Sequence, residues 1–567
     1  MNSDCFFFKL ISSVLIVLVI IVCWFAPLNY CSLIKPDEGR YAIIAREMVQ
    51  SGDWIVPRMN SLQYIEKPPM HYWMTAISFS LFGEHEWSAR LWSAIAGMLG
   101  ILMMMWTARR IYGREVALYS GLLLSSSIFY VGLSRINTVD MGLTLFMGVS
   151  LMAMLLAQRD SASVKENRYW MYIVWIGLAL AVLTKGPMGV ILPAGVLFIY
   201  LLLTRSFYIL KKLHLGVGLF IFSAIILPWF ILVSQRNSHF LKFFFIREHV
   251  ERFLTNTHNR DEVWWYLFPF VFLGILPWMF FLLVALISST SSFFKNILSN
   301  IKNSKNTKNS KKDFKVNLLL TIWCFFIFIF FSLSSSKLPT YVLPIFPALA
   351  LLLGQTIKRL SHRHFLYQVL TISVIALVAL LFAPQIANYP AKYTTPQILY
   401  YNWSKWVIAA GLFWFLGSII SLVFAFYKKR LSSVTALSLS FLLATQIAMS
   451  GYEELAPSFS SSYAAKEIIP YVREDRHFYS IKMYDHTLPF YIKHPLTLVE
   501  YKDEMAFGID EEPNKWVATV DEFKKRWRSE PGAMALLSKD MYQQFKNESL
   551  PMKFIFQDSR RTIILSP

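Results

Sequence analysis

"WMYIVWIGLALAVLTKGPMGVILPAGVLFIYLLL", residues 170–203, decides the fold class. Two long apolar runs flank one polar interruption, Thr184-Lys185-Gly186-Pro187. A helix needs roughly 17–25 mainly apolar residues to cross a bilayer core. The stretch therefore reads as two membrane spans joined by a tight polar turn. The same pattern recurs outward in both directions. Candidate spans lie near 8–27, 87–108, 115–132, 138–157, 169–183, 187–204, 213–234, 263–288, 317–334, 338–357, 364–384, 403–426 and 432–450. Composition agrees: 55% of residues are hydrophobic, mean hydropathy is +0.45, and only 16% are charged, where soluble domains carry about a quarter. A polytopic α-helical membrane protein follows.

The formal charge of +20 would suit nucleic acid, but its distribution excludes that partner. Lys and Arg cluster in short loops between apolar runs, as the positive-inside rule expects. With a cytoplasmic N-terminus, the inside loops are "RRIYGRE", "QRDSASVKENR", "RSFYILKK", the Lys-rich linker 289–316, "KRLSHRH" and "KKR". Segments 28–86 and 235–262, and everything after 450, then lie outside the cytoplasm. Within the linker, "SNIKNSKNTKNSKK" (299–312) reads as a solvated, low-complexity connection. The run Leu10–Ala26 is followed by no small-x-small cleavage site and reads as an uncleaved first span. Cys5, Cys23, Cys31 and Cys324 form no disulfide framework. The chain divides into a transmembrane domain, 1–450, and a soluble α/β domain, 451–567. In the latter, strand-like "RHFYSIKM", "GAMALLS", "MKFIFQD" and "RTIILS" alternate with amphipathic helix such as "VDEFKKRW".

Ionisable residues sort by side of the membrane. Asp37, Glu38 and Arg40 lie in "KPDEGRYA", and Glu66 and Lys67 in "YIEKPPMHYW". Arg135 and Asp140 lie in "LSRINTVDM", Lys185 in "TKGP", His249, Glu251 and Arg252 in "REHVERF", and Lys337 in "SSSKLPTY". All belong to outward-facing turns. Snorkelling at span ends accounts for single Lys or Arg residues, but not for Asp37 and Asp140. Nor does it account for "EKPP", where two prolines break the helix and fix Glu66 and Lys67 beside Tyr64, His71, Tyr72 and Trp73. A cation cluster of Lys67, Lys185, Arg252 and Lys337 suits a phosphate or pyrophosphate. Acids beside it can orient or deprotonate an acceptor, or hold a divalent metal. This chemistry is group transfer outside the cytoplasm. Because nucleotide sugars and ATP are cytoplasmic, the donor must be carried on a lipid. A transporter would place charges or broken helices at the bilayer midplane and show internal repeats; here charges sit at span ends and no repeat is found.

"PDEGRYA", "YIEKPPMHYW", "TVDM", "TKGP", "EHVERF" and "SKLPTYVLPIFPALALLLG" stand in the order seen in bacterial lipid A 4-amino-4-deoxy-L-arabinose transferases. Those enzymes belong to the protein O-mannosyltransferase-like GT-C class. "YDHTLPFYIKHPLTLVEYKDEMAFGIDEEPNKW" also resembles that family's periplasmic domain, so the similarity covers nearly the whole chain; the Lys-rich insert departs from it. The resemblance implies a GT-C glycosyltransferase fold with about 13 transmembrane helices and a small extracytoplasmic α/β domain. It implies an undecaprenyl-phosphate-linked aminosugar donor and a lipid A phosphate acceptor, among membrane lipids at the periplasmic face of the inner membrane. Asp37 and Asp140 would be the catalytic or acceptor-orienting acids. Lys67 and Arg252 would hold the donor phosphate, supported by Lys185 and Lys337. Glu38, Arg40, Tyr64, Tyr72, Arg135 and Tyr341 would contact substrate. Glu66 and His249 would bind a metal, although one Glu and one His make a poor site alone. A related transferase acting on a protein hydroxyl remains the alternative, with Asp37 then a true general base.

Overall fold

The computed structural model describes residues 3–251, 262–287, 314–392 and 395–567. Helical segments occupy all thirteen apolar stretches. Among the described residues, eight helices are long and apolar enough to cross a membrane, or ten if each of two bent pairs is one span. The number falls short of thirteen for local reasons. The N-terminal helix is α1 (Ser3–Phe25), and α9 (Met188–Thr204) is a short apolar helix of 17 residues. Helix α8 (Val164–Lys185) opens on a polar turn containing Lys165, Glu166 and Arg168.

Two stretches expected to be continuous are broken. Helices α5 (Arg114–Leu124) and α6 (Ile128–Ser134) meet at 66° across Ser125-Ser126-Ser127. There the Ser126 hydroxyl donates to the Leu122 carbonyl (2.7 Å) and the Ser127 hydroxyl to the Leu123 carbonyl (2.8 Å), competing with the helical ladder. The pair Phe268–Gly274 and Met279–Ile287 bends by 114° next to Pro277, which has no N–H to continue a helix. At the centre, α7 (Val139–Gln158) packs against α4 (Glu86–Tyr112) and α8 and is almost wholly enclosed.

Segment 28–86, a long polar stretch by sequence, carries regular structure. It folds into α2 (Asp37–Ser51), a short antiparallel hairpin of β1 (Arg58–Met59) and β2 (Leu62–Gln63), and α3 (Met70–Phe82). Asp37 and Glu38 in the first turn of α2 complement the helix dipole, and Gly52 closes it at φ 68°. Pro69, already at helical angles (φ −84°, ψ −12°), stands immediately before the start of α3, where a missing N–H costs no helical hydrogen bond.

Beyond residue 450 lies a six-stranded sheet of order β5-β4-β3-β6-β8-β7. Strands β3 (Phe478–Ile481), β4 (Thr497–Val499), β5 (Trp516–Val517) and β6 (Met534–Leu537) are parallel. Strands β7 (Lys553–Gln557) and β8 (Thr562–Leu565) add antiparallel. β4 and β5 escape sequence reading because two or three residues show no alternation. This sheet domain does not pack alone. Tyr41, Ile44 and Met48 of α2 and Phe79 of α3 share one hydrophobic cluster with Leu488, Phe490, Leu498 and Ile509. Arg46 donates to the Pro489 carbonyl (2.8 Å), and Arg58 pairs with Glu512 (3.0 Å). Segment 28–86 and the C-terminal domain thus form a single packed body at one end of the helices.

Candidate active site

Where that body meets the ends of the membrane helices, a cavity of about 750 Å³ opens. Its ionisable lining comes from α2 (Asp37, Arg40), the "EKPP" corner (Glu66, Lys67), the start of α7 (Asp140) and the end of α8 (Lys185). A π-helical segment, Lys242–Glu251, adds Arg247, Glu248 and His249; Tyr341 enters from the 334–344 segment; the C-terminal domain adds His486, Asp503 and Glu504.

Helix direction assembles the first pair. α7 and α8 are antiparallel neighbours, so the first turn of one and the last turn of the other lie at the same level. A carboxylate suits the former and an ammonium the latter. Lys185 Nζ is hydrogen-bonded to Asp140 Oδ1 and lies 4.7 Å from the centre of the Tyr341 ring. Thr138 donates to the other Asp140 oxygen at 3.3 Å. Lys67 Nζ reaches the Glu66 carbonyl (3.2 Å) and the buried Glu248 carboxylate (3.6 Å). Arg40 bridges Asp37, at 3.2 Å, to Glu504, which also holds His486.

The π-helical segment docks directly on the "TKGP" turn. A Cβ on Gly186, whose φ is +71°, would stand 2.7 Å from His249 Nε2, so only glycine permits this approach. Burial, with Lys67 adding to it, lowers the His249 pKa to about 4. The ring is neutral at pH 7, and its Nδ1–H donates to the Phe244 carbonyl at 2.7 Å. Glu66 and His249 both line the cavity, but no third ligand joins them among the described residues. Among the described residues no group of three His, Cys, Asp or Glu side chains is arranged to hold a metal ion. The donor set does not fit the expected divalent metal.

Of the expected site residues, Asp37, Arg40, Glu66, Lys67, Asp140, Lys185, His249 and Tyr341 are brought together. Five are not. Glu38 is buried behind α2, paired through both oxygens with Arg90 at 2.7 Å. Arg135 is spent on Gln446 (2.7 Å) and the Pro27 carbonyl (3.0 Å), joining helices. Tyr64 and Tyr72 are buried in the core shared with the C-terminal domain. Lys337 donates to the Glu262 carbonyl at 2.7 Å, outside the cavity lining. None of these five lines the cavity: Glu38, Arg135, Tyr64 and Tyr72, expected to contact substrate, and Lys337, expected to support the donor phosphate, sit in packing or structural positions. Arg252 lies outside the described residues, as does most of the 289–316 linker.

Sequence reading missed Arg247, Glu248, His486, Asp503 and Glu504. The first two stand inside "REHVERF", but a ten-residue π-helix leaves no 3.6-residue signature to show which side chains point inward. The last three lie in the stretch resembling the family's C-terminal domain, with no local signal of a role.

Residues 464–566 match the aminoarabinose transferase C-terminal domain, and residues 66–231 match dolichyl-phosphate-mannose-protein mannosyltransferase. Over 422 residues the chain is 31% identical to undecaprenyl phosphate-alpha-4-amino-4-deoxy-L-arabinose arabinosyl transferase 2 of Proteus mirabilis, covering 72% of this chain and 71% of the relative. The chain belongs to the aminoarabinose transferase family. Its homologue from Pectobacterium carotovorum is 32% identical over 62% of this chain and 60% of that one. The crystal structure of ArnT from Cupriavidus metallidurans bound to undecaprenyl phosphate superposes with a TM-score of 0.91, at 36% identity over 98% of both chains. The same protein in its apo state gives 0.89. The family member described here is a multi-pass membrane protein with the GT-C fold and a C-terminal sheet domain.

Proposed function

We propose that this protein is a glycosyltransferase moving 4-amino-4-deoxy-L-arabinose from undecaprenyl phosphate to a lipid A phosphate, at the periplasmic face of the inner membrane. One observation carries the reading: near-complete superposition, at 36% identity, on a transferase crystallised with undecaprenyl phosphate. The cavity supports it physically. It lies at the helix ends, where a lipid-borne phosphate can enter sideways, and it offers fixed cations beside acids. The outer location rests on the Lys/Arg bias of the opposite loops.

In the proposed reaction an acceptor phosphate oxygen attacks the anomeric carbon. The bond from that carbon to the polyprenyl phosphate oxygen breaks, and its electron pair leaves with the phosphate. Lys67 stabilises the departing charge, with Arg252 assigned beside it by family resemblance. Lys185, anchored by Asp140, holds positive charge at the same wall, and Lys337 supports it indirectly through the segment it ties down. The acceptor phosphate has a second pKa near 6 and is largely ionised at pH 7, so Asp37 orients it rather than removing a proton. No step requires a metal.

The test is mass spectrometry of lipid A from a host that makes the lipid-linked aminosugar but lacks its own transferase. Gain of one aminopentose mass with this gene, and its loss in Lys67→Ala, is the expected result. Unmodified lipid A with correctly inserted protein would overturn the reading in favour of another sugar or acceptor.

A further inference from the structure

Gly39 sits between Asp37 and Arg40 in "PDEGRYA". A Cβ there would stand 2.2 Å from the His486 carbonyl oxygen. Backbone of the C-terminal domain therefore lies directly against α2, at the turn that presents Asp37 to the cavity. From this contact His486 and Glu504 reach forward. Glu504 Oε2 accepts from Arg40 Nη2, Glu504 Oε1 bonds His486 Nε2, and Arg40 Nη1 donates to Asp37 Oδ1 at 3.2 Å.

Exposure rises only at the end of this relay. The side chains of His486, Glu504 and Arg40 are 14%, 15% and 13% exposed, while that of Asp37 is 47% exposed. Three enclosed groups end on one open carboxylate. Arginine's rigid, planar fork passes geometry from one partner to the next, which a flexible ammonium would not. We propose that Glu504, backed by His486, is a positioning residue of the transfer reaction: the C-terminal domain sets Arg40, and through it Asp37, against the acceptor. This rests on the glycosyl-transfer reading above. It gives the C-terminal domain a role in the rate itself, beyond covering the site.

A second ion pair supplies the control. Arg58 and Glu512 join the same two parts of the molecule at 3.0 Å, but neither lines the cavity. Glu504→Gln and Glu512→Gln each remove one such pair, and only the first touches the cavity chain.

The experiment measures steady-state transfer from undecaprenyl-phosphate-aminoarabinose to lipid A by the full-length enzyme in detergent. Glu504→Gln is expected to lower kcat about 10- to 100-fold, the scale of a misplacement near 1 Å, with KM for the donor within about twofold. Glu512→Gln should leave kcat within about twofold, as expected for a pair remote from the chemistry. In an Arg40→Lys background, Glu504→Gln should add little, because both changes break one chain. If Glu504→Gln does not fold, Glu504→Asp keeps the charge, shortens the reach and should still lower kcat about tenfold. An active wild type with Glu504→Gln no worse than Glu512→Gln, or with its loss fully additive on Arg40→Lys, overturns this inference alone. A wild type that transfers nothing overturns the functional reading and this inference together.

Discussion

Two charged clusters flank α2, one behind it and one in front. Behind, Glu38 Oε1 accepts from Arg90 and the Asn137 amide, and Oε2 accepts from Arg90 and the Ile34 amide. Arg90 spends its remaining donors on the carbonyls of Leu28, Cys31 and Ser32. Every lone pair and proton is used, and nothing is left for a ligand. In front, Asp37, Arg40, Lys67 and Lys185 share the same chemistry but open onto the cavity. Asp37 and Glu38 are consecutive, and the turn of about 100° per helical residue sends them to different faces. Charge type does not distinguish a staple from a site; completeness of pairing and access to the cavity do.

That contrast can be broken experimentally, most strongly at the rear cluster. Glu38→Ala leaves the Arg90 guanidinium buried without its carboxylate, which should cost about 3–5 kcal/mol. A large drop in thermal midpoint of the purified protein is expected, and an unchanged midpoint would dissolve the staple reading. Lys67→Ala and Asp37→Ala, in front, should do the reverse: transfer falls about 10²- to 10³-fold or is lost, while the unfolding midpoint holds. Retained transfer in either would remove the site proposed here.

A smaller effect comes from pH. His71, fully buried, bonds Asn137 Oδ1 at 2.9 Å beside the rear cluster, and burial lowers its pKa to about 4. The unfolded chain, near 6.5, takes up that proton first. Its stabilising contribution is therefore complete above pH 6.5 and is lost as pH falls towards 4, by up to about 3 kcal/mol. His71→Gln should flatten this part of the stability profile, and an identical profile would assign the pH dependence elsewhere. The smallest effect is expected where neither cluster exists. Deleting 299–312, outside the described residues, should leave transfer within about twofold, as expected for a solvated linker; a marked loss would show that the linker carries function.

Most of the cavity's membrane-side residues were legible because they stand at interruptions of apolar runs, where a charge is costly and local breakers mark the turn. "TKGP" gave Lys185 and "EKPP" gave Lys67 on that ground. Glu248 was not legible, since its π-helical segment has no readable period. Glu504 was not legible either: it reaches Arg40 across 464 residues of chain, and nothing local marks it. Arg135 and Lys337 were read as site groups for the right local reason, yet each found acceptors in neighbouring turns and turned structural.

By itself the sequence determined the solvent of each segment. Apolar length marks which residues suit lipid, the Lys/Arg bias carries the expected orientation, and the short strand runs set an α/β domain at the end. Tertiary structure alone decided the fusion of segment 28–86 with the C-terminal domain and which carboxylates line the cavity. The physical reason is range. Transfer free energies and turn propensities act within one segment and are additive along it. Pairing and desolvation depend on atoms a few ångströms apart in space, supplied by parts of the chain hundreds of residues away.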